Sequence, residues 1–176
     1  MSQSSPVSLR AHDVCVALQV VITPRFSYRE LARSVGLSLG ESHNSVKRLE
    51  LARLFMPHQD MVNTPALLEF LVHGVPYVFP GALGPESQGV PTAHSGPVLR
   101  EIVPGVDSVV WPSVEGGARG LSLTPLCRQA PLMAQSNQVL YRWLTVVDAL
   151  RIGRARDRKV ARDVLHDELE STVEHH

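Results

Sequence analysis

Residues Ser27 to Phe55 read SYRELARSVGLSLGESHNSVKRLELARLF, and the fold is decided by how this stretch is read. It has the pattern of two short amphipathic helices around a tight turn. Ser27 is followed three residues later by Glu30, and Ser38 by Glu41. Each pair has the form of a capping box, in which the Ser oxygen accepts from a free backbone N–H and the Glu returns a bond to the cap. Gly36-Leu37 closes the first helix, because glycine reaches the left-handed geometry of a C-cap without steric cost. Leu31, Ala32, Val35 and Leu37, then Val46, Leu49 and Leu54, can be buried on one side. Arg29, Arg33, His43, Asn44, Lys47 and Arg48 are left for the other faces.

Over about residues 7–60 this spacing resembles the helix-turn-helix of winged-helix transcription regulators. The matching pieces are Glu30-Leu31-Ala32, Gly36-Leu37-Ser38 and Arg48-Leu49-Glu50, with no gap between them. The chain departs from the family at Arg53, where an exit glycine is usual, and at Ser42 and Ser45, where larger apolar residues are common. The resemblance implies that the second helix enters a major groove of duplex DNA. Arg48 would read guanine bidentately and Asn44 adenine, Lys47 and Ser42 would hold phosphates, and His43 could do either. Arg29 and Arg33, on the helix that crosses the backbone, would contact phosphate. The plain alternative for each is a solvated helix surface, and a winged helix can also serve protein contacts alone.

Working outward, Ser8 to Ile22 is a Val-, Leu- and Ala-rich helical pattern ended by Thr23-Pro24, a first helix to lie across the other two. After Phe55 the run MPHQDMVN is short for a strand-turn-strand wing. Thr64-Pro65 opens another helix, with Thr as cap and Pro at the first helical position, running to Gly74. A vestigial wing, or its replacement by this helix, is expected. Residues 76–131 hold nine of the thirteen prolines and eight of the twelve glycines, which excludes long helices. Strand-like pieces lie at Val75–Phe79, Ser108–Trp111 and Gly120–Leu123, with Glu115-Gly116-Gly117 as a hairpin turn between the last two. Tyr77, Phe79, Trp111 and many Val and Leu residues argue for an ordered, loop-rich platform rather than a disordered linker. From Ser136, the stripe Leu140, Trp143, Leu144, Val147, Leu150 has helical spacing; after Gly153 comes a second stripe, Val160, Ala161, Val164, Leu165, Leu169.

The expected fold is thus α+β: a winged-helix-like domain over residues 1–75, then a loop-rich platform with a small sheet and C-terminal helices over 76–172. Val173-Glu174-His175-His176 has the look of a tag remnant. The 176 residues carry 17 basic and 17 acidic side chains, so no global field draws the chain to polyanions. Locally, Arg25 to Arg53 holds six Lys/Arg against three Glu, and Arg151 to Arg162 holds six against Asp157 alone. This second cluster could grip phosphates or an acidic partner, or could be solvated and paired along its own helix. Cys15 and Cys127 offer neither a disulfide framework nor a metal site by their spacing, and Cys15 reads as a small core residue.

Met1 to Pro6 lacks the pattern of a secretory leader, and no run approaches a membrane span, so a cytoplasmic location is expected. His58, His73 and His94 have no zinc spacing, and no nucleophile elbow, phosphate loop or dinucleotide fingerprint occurs. No catalysis, cofactor or metal is therefore expected. The Pro91–Pro97 run, with His94-Ser95 framed by prolines, reads as a structural loop or a contact for a ligand or partner. The function expected is that of a sequence-specific, homodimeric DNA-binding regulator, a repressor or antitoxin-like protein, whose dimer contact is made by the C-terminal stripes. The alternative is a winged-helix adaptor that binds a toxin or an enzyme through residues 76–131.

Overall fold

The computed structural model describes residues 8–103 and 107–174 and has a mixed α+β fold. Helix α1 (Ala11–Ile22) is buried from Asp13 through Val21, on every face, so it is the central helix rather than a surface one. Helix α2 (Tyr28–Val35) starts with the complete Ser27/Glu30 capping box: Ser27 Oγ accepts from Glu30 N, and Ser27 N donates to Glu30. Its C-cap Gly36 has φ 65°, and a Cβ there would lie 2.5 Å from Gln129 Cγ. Both the dihedral and the close approach therefore require glycine. Helix α3 (Leu39–Leu51) realises only half of its expected box. Ser38 Oγ accepts from Glu41 N, but the Glu41 carboxylate turns away to Arg48, His12 and Arg10.

The chain leaves α3 through Arg53, which adopts φ 61°, the left-handed geometry a glycine would take at no cost. Strands β1 (Phe55–Met56) and β2 (Met61–Val62) then pair antiparallel, with Phe55 opposite Val62. Helix α4 (Thr64–His73) follows directly, so the short hairpin and the helix coexist and neither replaces the other. Its cap is Asn63, whose Oδ1 accepts from Ala66 N; Thr64 is already inside the helix.

Val75–Val78 forms a helical turn, α5, and not the strand its Val and aromatic content suggested. Pro76 sits in the first turn, where its missing N–H costs nothing. The sheet is built instead from β3 (Leu83–Pro91), β4 (Val109–Pro112) and β5 (Ala118–Leu123). β3 runs antiparallel to both others, while β4 and β5 are parallel and pair through Val109–Leu121 and Val110–Ser122, closing a small three-stranded barrel. The expected hairpin at Glu115-Gly116-Gly117 is therefore not formed. That segment steps across β3, where a Cβ on Gly116 would meet the Gly89 backbone carbon at 2.1 Å, so the crossing requires glycine at 116. Gln88 Nε2 secures it by donating to the carbonyls of Val114 and Gly116 at 3.1 and 2.8 Å.

Helices α6 (Ala130–Ser136), α7 (Gln138–Ile152) and α8 (Ala155–Glu174) complete the chain. The whole stripe Leu140, Trp143, Leu144, Val147, Leu150 is buried, as are Ala161, Leu165 and Leu169 of α8. These residues join Val14 to Val21 of α1 and Leu67 and Leu71 of α4 in one apolar core that runs across position 75. The α7 stripe expected to join two copies is thus consumed within one chain, while Val160 and Val164 of the α8 stripe are only partly buried. Val173 and Glu174 continue α8 as its last turn, while His175, His176 and the leader reading of Met1–Pro6 lie outside the described residues. Among the described residues, no helix is long and apolar enough to cross a membrane.

Candidate nucleic-acid interface

Helix α3 sorts its side chains cleanly. Ser42, Ser45, Val46 and Leu49 point inward, whereas His43, Asn44, Lys47 and Glu50 are exposed. Ser42, expected at the DNA surface, is fully buried, and its hydroxyl donates to Ser38 O at 3.0 Å. Ser45 is buried as well and donates to Asp13. The two small serines let α1 approach α3 closely enough for a polar clamp in place of apolar packing.

Arg48 is the largest correction to the sequence reading. Its side chain is only 15% exposed and is held by the helix below rather than offered outward. Nε donates to Asp13 Oδ2 at 2.8 Å and Nη2 to Asp13 Oδ1 at 2.7 Å, a bidentate pair; Nη2 also donates to Glu41 Oε1 at 2.6 Å. His12 Nε2 lies 2.9 Å from the same Glu41 oxygen, and Arg10 Nη1 donates to it at 3.2 Å. Asp13 is 1% exposed, so this is a desolvated ion pair whose charge-assisted bonds are shorter and stronger than neutral ones. The Arg48 guanidinium is accordingly pushed further toward its charged form, first by Asp13 and then by Glu41. It anchors α3 and cannot read a base without dismantling this clamp.

The clamp carries a pH signature. Donation from Arg48 holds the Glu41 carboxyl below its ordinary 4.5, with His12 and Arg10 adding to the effect and burial opposing it. A carboxyl depressed in the folded state contributes stability above its unfolded-state pKa and loses it as pH falls through the folded-state value. Stability should therefore decline as pH is lowered from 4.5. In Glu41→Gln that decline should be shallower, as read from urea midpoints across an acid series.

Asn44, Lys47 and Glu50 are exposed polar side chains of α3 that make no hydrogen bond or ion pair among the described residues. His43 lies flat on Tyr28, ring centroids 3.6 Å apart and planes 20° from parallel, so α2 orients it. Arg29 and Arg33 are exposed along α2, Arg33 beside Glu30. Between α3 and the β1–β2 hairpin runs a shallow groove of about 470 Å³ whose lining includes Tyr28, His43, Asn44, Lys47, Glu50 and Asp60. Partial burial, then Asp60 and Glu50, push the Tyr28 phenol up, so its hydroxyl stays a donor. The aromatic stack and the hairpin side of the groove were not read from the sequence. The signal was present in Tyr28, the first residue after the Ser27 cap.

Elsewhere, Arg151 and the His94-Ser95 pair turn out to be structural. Arg151 is buried and bound to Asp148, Phe79 O and Thr124 O, so it does not belong to the surface cluster; Arg154, Arg156, Arg158, Lys159 and Arg162 are exposed. His94 Nε2 lies 2.6 Å from Asp107 O, and Ser95 Oγ accepts from Val109 N at 3.0 Å, so the proline-framed pair holds β4 in place. No protein-family model, curated protein or solved structure matches this chain.

Proposed function

We propose that the protein is a winged-helix, sequence-specific DNA-binding regulator of the repressor or antitoxin type, acting in the cytoplasm, with α3 as its recognition helix. The observation that carries this reading is the outward face of α3. His43, Asn44 and Lys47 are presented together, free or stacked, on a helix clamped to the core by Arg48. Asn44 is the base reader, since its amide can pair bidentately with adenine, and Lys47, Arg29 and Arg33 are phosphate contacts. Three outward side chains on one helix specify few base pairs, so we propose a homodimer on half-sites about 34 Å apart. Its contact lies on a surface other than the α7 stripe, which the core consumes.

Selection from a pool of random duplexes should enrich one two-fold motif. An unenriched pool, with weak binding at every salt concentration, would refute the proposal. The competing reading is an adaptor that holds a protein partner, a toxin or an enzyme, through residues 76–131. It is favoured by Tyr77, Val78 and Leu83, which are 76%, 55% and 49% exposed. Scattered exposed apolar residues are normal on soluble surfaces, which makes this the weaker argument.

A further inference from the structure

Cys15 and Cys127 are 112 residues apart in sequence, yet their sulfurs meet inside the core at 2.6 Å. Both are free thiols, 0% and 4% exposed. A disulfide holds its sulfurs at about 2.05 Å, so bond formation asks for a displacement of only about half an ångström. The two side chains come from unlike supports. Cys15 is fixed in the middle of α1, whereas Cys127 lies in the irregular segment between β5 and α6, where only local opening is needed to admit a small molecule.

We propose that Cys15 and Cys127 form a redox-modification site, at which a small hydroperoxide closes an intramolecular disulfide. Cys127 reacts first: its sulfur, as thiolate, attacks one peroxide oxygen, the O–O bond breaks, and Cys127 sulfenic acid and an alcohol or water result. Cys15 Sγ then attacks that sulfur; the S–S bond forms, the S–O bond breaks, and the departing hydroxide takes the Cys15 proton and leaves as water. Overall the two thiols give up two electrons and two protons, and the peroxide accepts both pairs. Complete burial, reinforced by Cys127 itself, pushes the Cys15 thiol up, which makes Cys15 the poorer of the two sulfurs for the first attack.

The bond would join the two halves of the recognition apparatus from beneath. Cys15 is two residues beyond Asp13, which holds Arg48 and Ser45 of α3. Two residues beyond Cys127, Gln129 packs over Gly36 at the α2–α3 turn. Closing a loop of this length also restricts the unfolded chain, which raises the thermal midpoint.

The test uses the full chain, reduced and then exposed to hydrogen peroxide, denatured, treated with iodoacetamide and weighed. The expected product resists alkylation, is lighter by two hydrogens, yields a cross-linked peptide pair containing Cys15 and Cys127, and melts higher until dithiothreitol reverses it. Two alkylated thiols, a disulfide between chains, or oxidation that stops at Cys127 sulfinic acid would each overturn the proposal. In Cys15→Ala, dimedone should trap a sulfenic acid on Cys127; peroxide-treated protein without that adduct would overturn the assignment of Cys127 as the first sulfur to react.

Discussion

Replacing Arg48 by alanine is expected to cost about 3–5 kcal/mol of folding stability, because it leaves the buried Asp13 carboxylate without its cation. Asp13 would keep Ser45 and the Arg10 backbone N–H as donors and His12 Nε2 at 3.5 Å, but none of these is a guanidinium paired bidentately with it. Against a total stability of about 5–15 kcal/mol for an ordinary domain, most of the margin would go. The loss should appear as a lower urea midpoint. Asp13→Ala should cost a comparable amount, and the double variant less than the two single losses together, because the partners share one interaction. Lys47→Ala, at an exposed position of the same helix, should stay within about 0.5 kcal/mol of the parent chain. An Arg48→Ala protein as stable as its parent would show that the clamp does not hold α3.

The second large effect concerns the joint between platform and helices. Asp148, 1% exposed on α7, accepts from Thr92 Oγ1 and Trp111 Nε1, each at 2.6 Å, and pairs with Arg151 Nη1 at 2.7 Å. Burial pushes its carboxyl up despite Arg151, so the site tolerates the negative charge only through these donors. Asp148→Ala would strand the Arg151 guanidinium, 5% exposed, and unpair the indole N–H of a fully buried tryptophan. We expect a loss of about 3–5 kcal/mol. Trp111 emission should shift to the red under conditions where the parent chain is folded. Asp148→Asn keeps one oxygen acceptor, enough for Thr92 and Trp111, and should cost less. An unchanged unfolding midpoint in Asp148→Ala would remove this knot from the account of how β3 and β4 are held to α7.

What could be read from the sequence was what neighbouring residues determine. The Ser27 box, the Gly36 cap, the outward places of His43, Asn44 and Lys47 on α3, and the α7 stripe all follow from spacings of three and four residues, and these are in place. β3 was hidden because Leu83–Pro91 contains Gly84, Pro85, Gly89 and Pro91, which no propensity argument assigns to a strand. Its pairing is fixed by β4 and β5 at a distance in sequence, and the parallel closure depends on glycines that looked like turn residues. Arg48 was misplaced for a related reason. A helical wheel gives the face of a residue but not a partner 35 residues earlier. The sign that could have revealed it was Asp13, an acid set in the apolar run Val14-Cys15-Val16-Ala17-Leu18, where burial demands a cation. The spacing of Cys15 and Cys127 points to no disulfide because nothing local relates them, and only the packing of α1 against the segment before α6 brings their sulfurs together.

The central claim, that the outward face of α3 reads duplex DNA, is tested most directly by binding to the selected duplex at several salt concentrations. The parent chain, Asn44→Ala and Lys47→Ala should be compared side by side. Asn44→Ala is expected to lose about 1–3 kcal/mol on the selected sequence while keeping its affinity for unrelated duplexes. Lys47→Ala should weaken binding to every duplex alike and lower the salt slope by about one unit. Two stable variants that bind every duplex as the parent does, with the same slope, would contradict the claim.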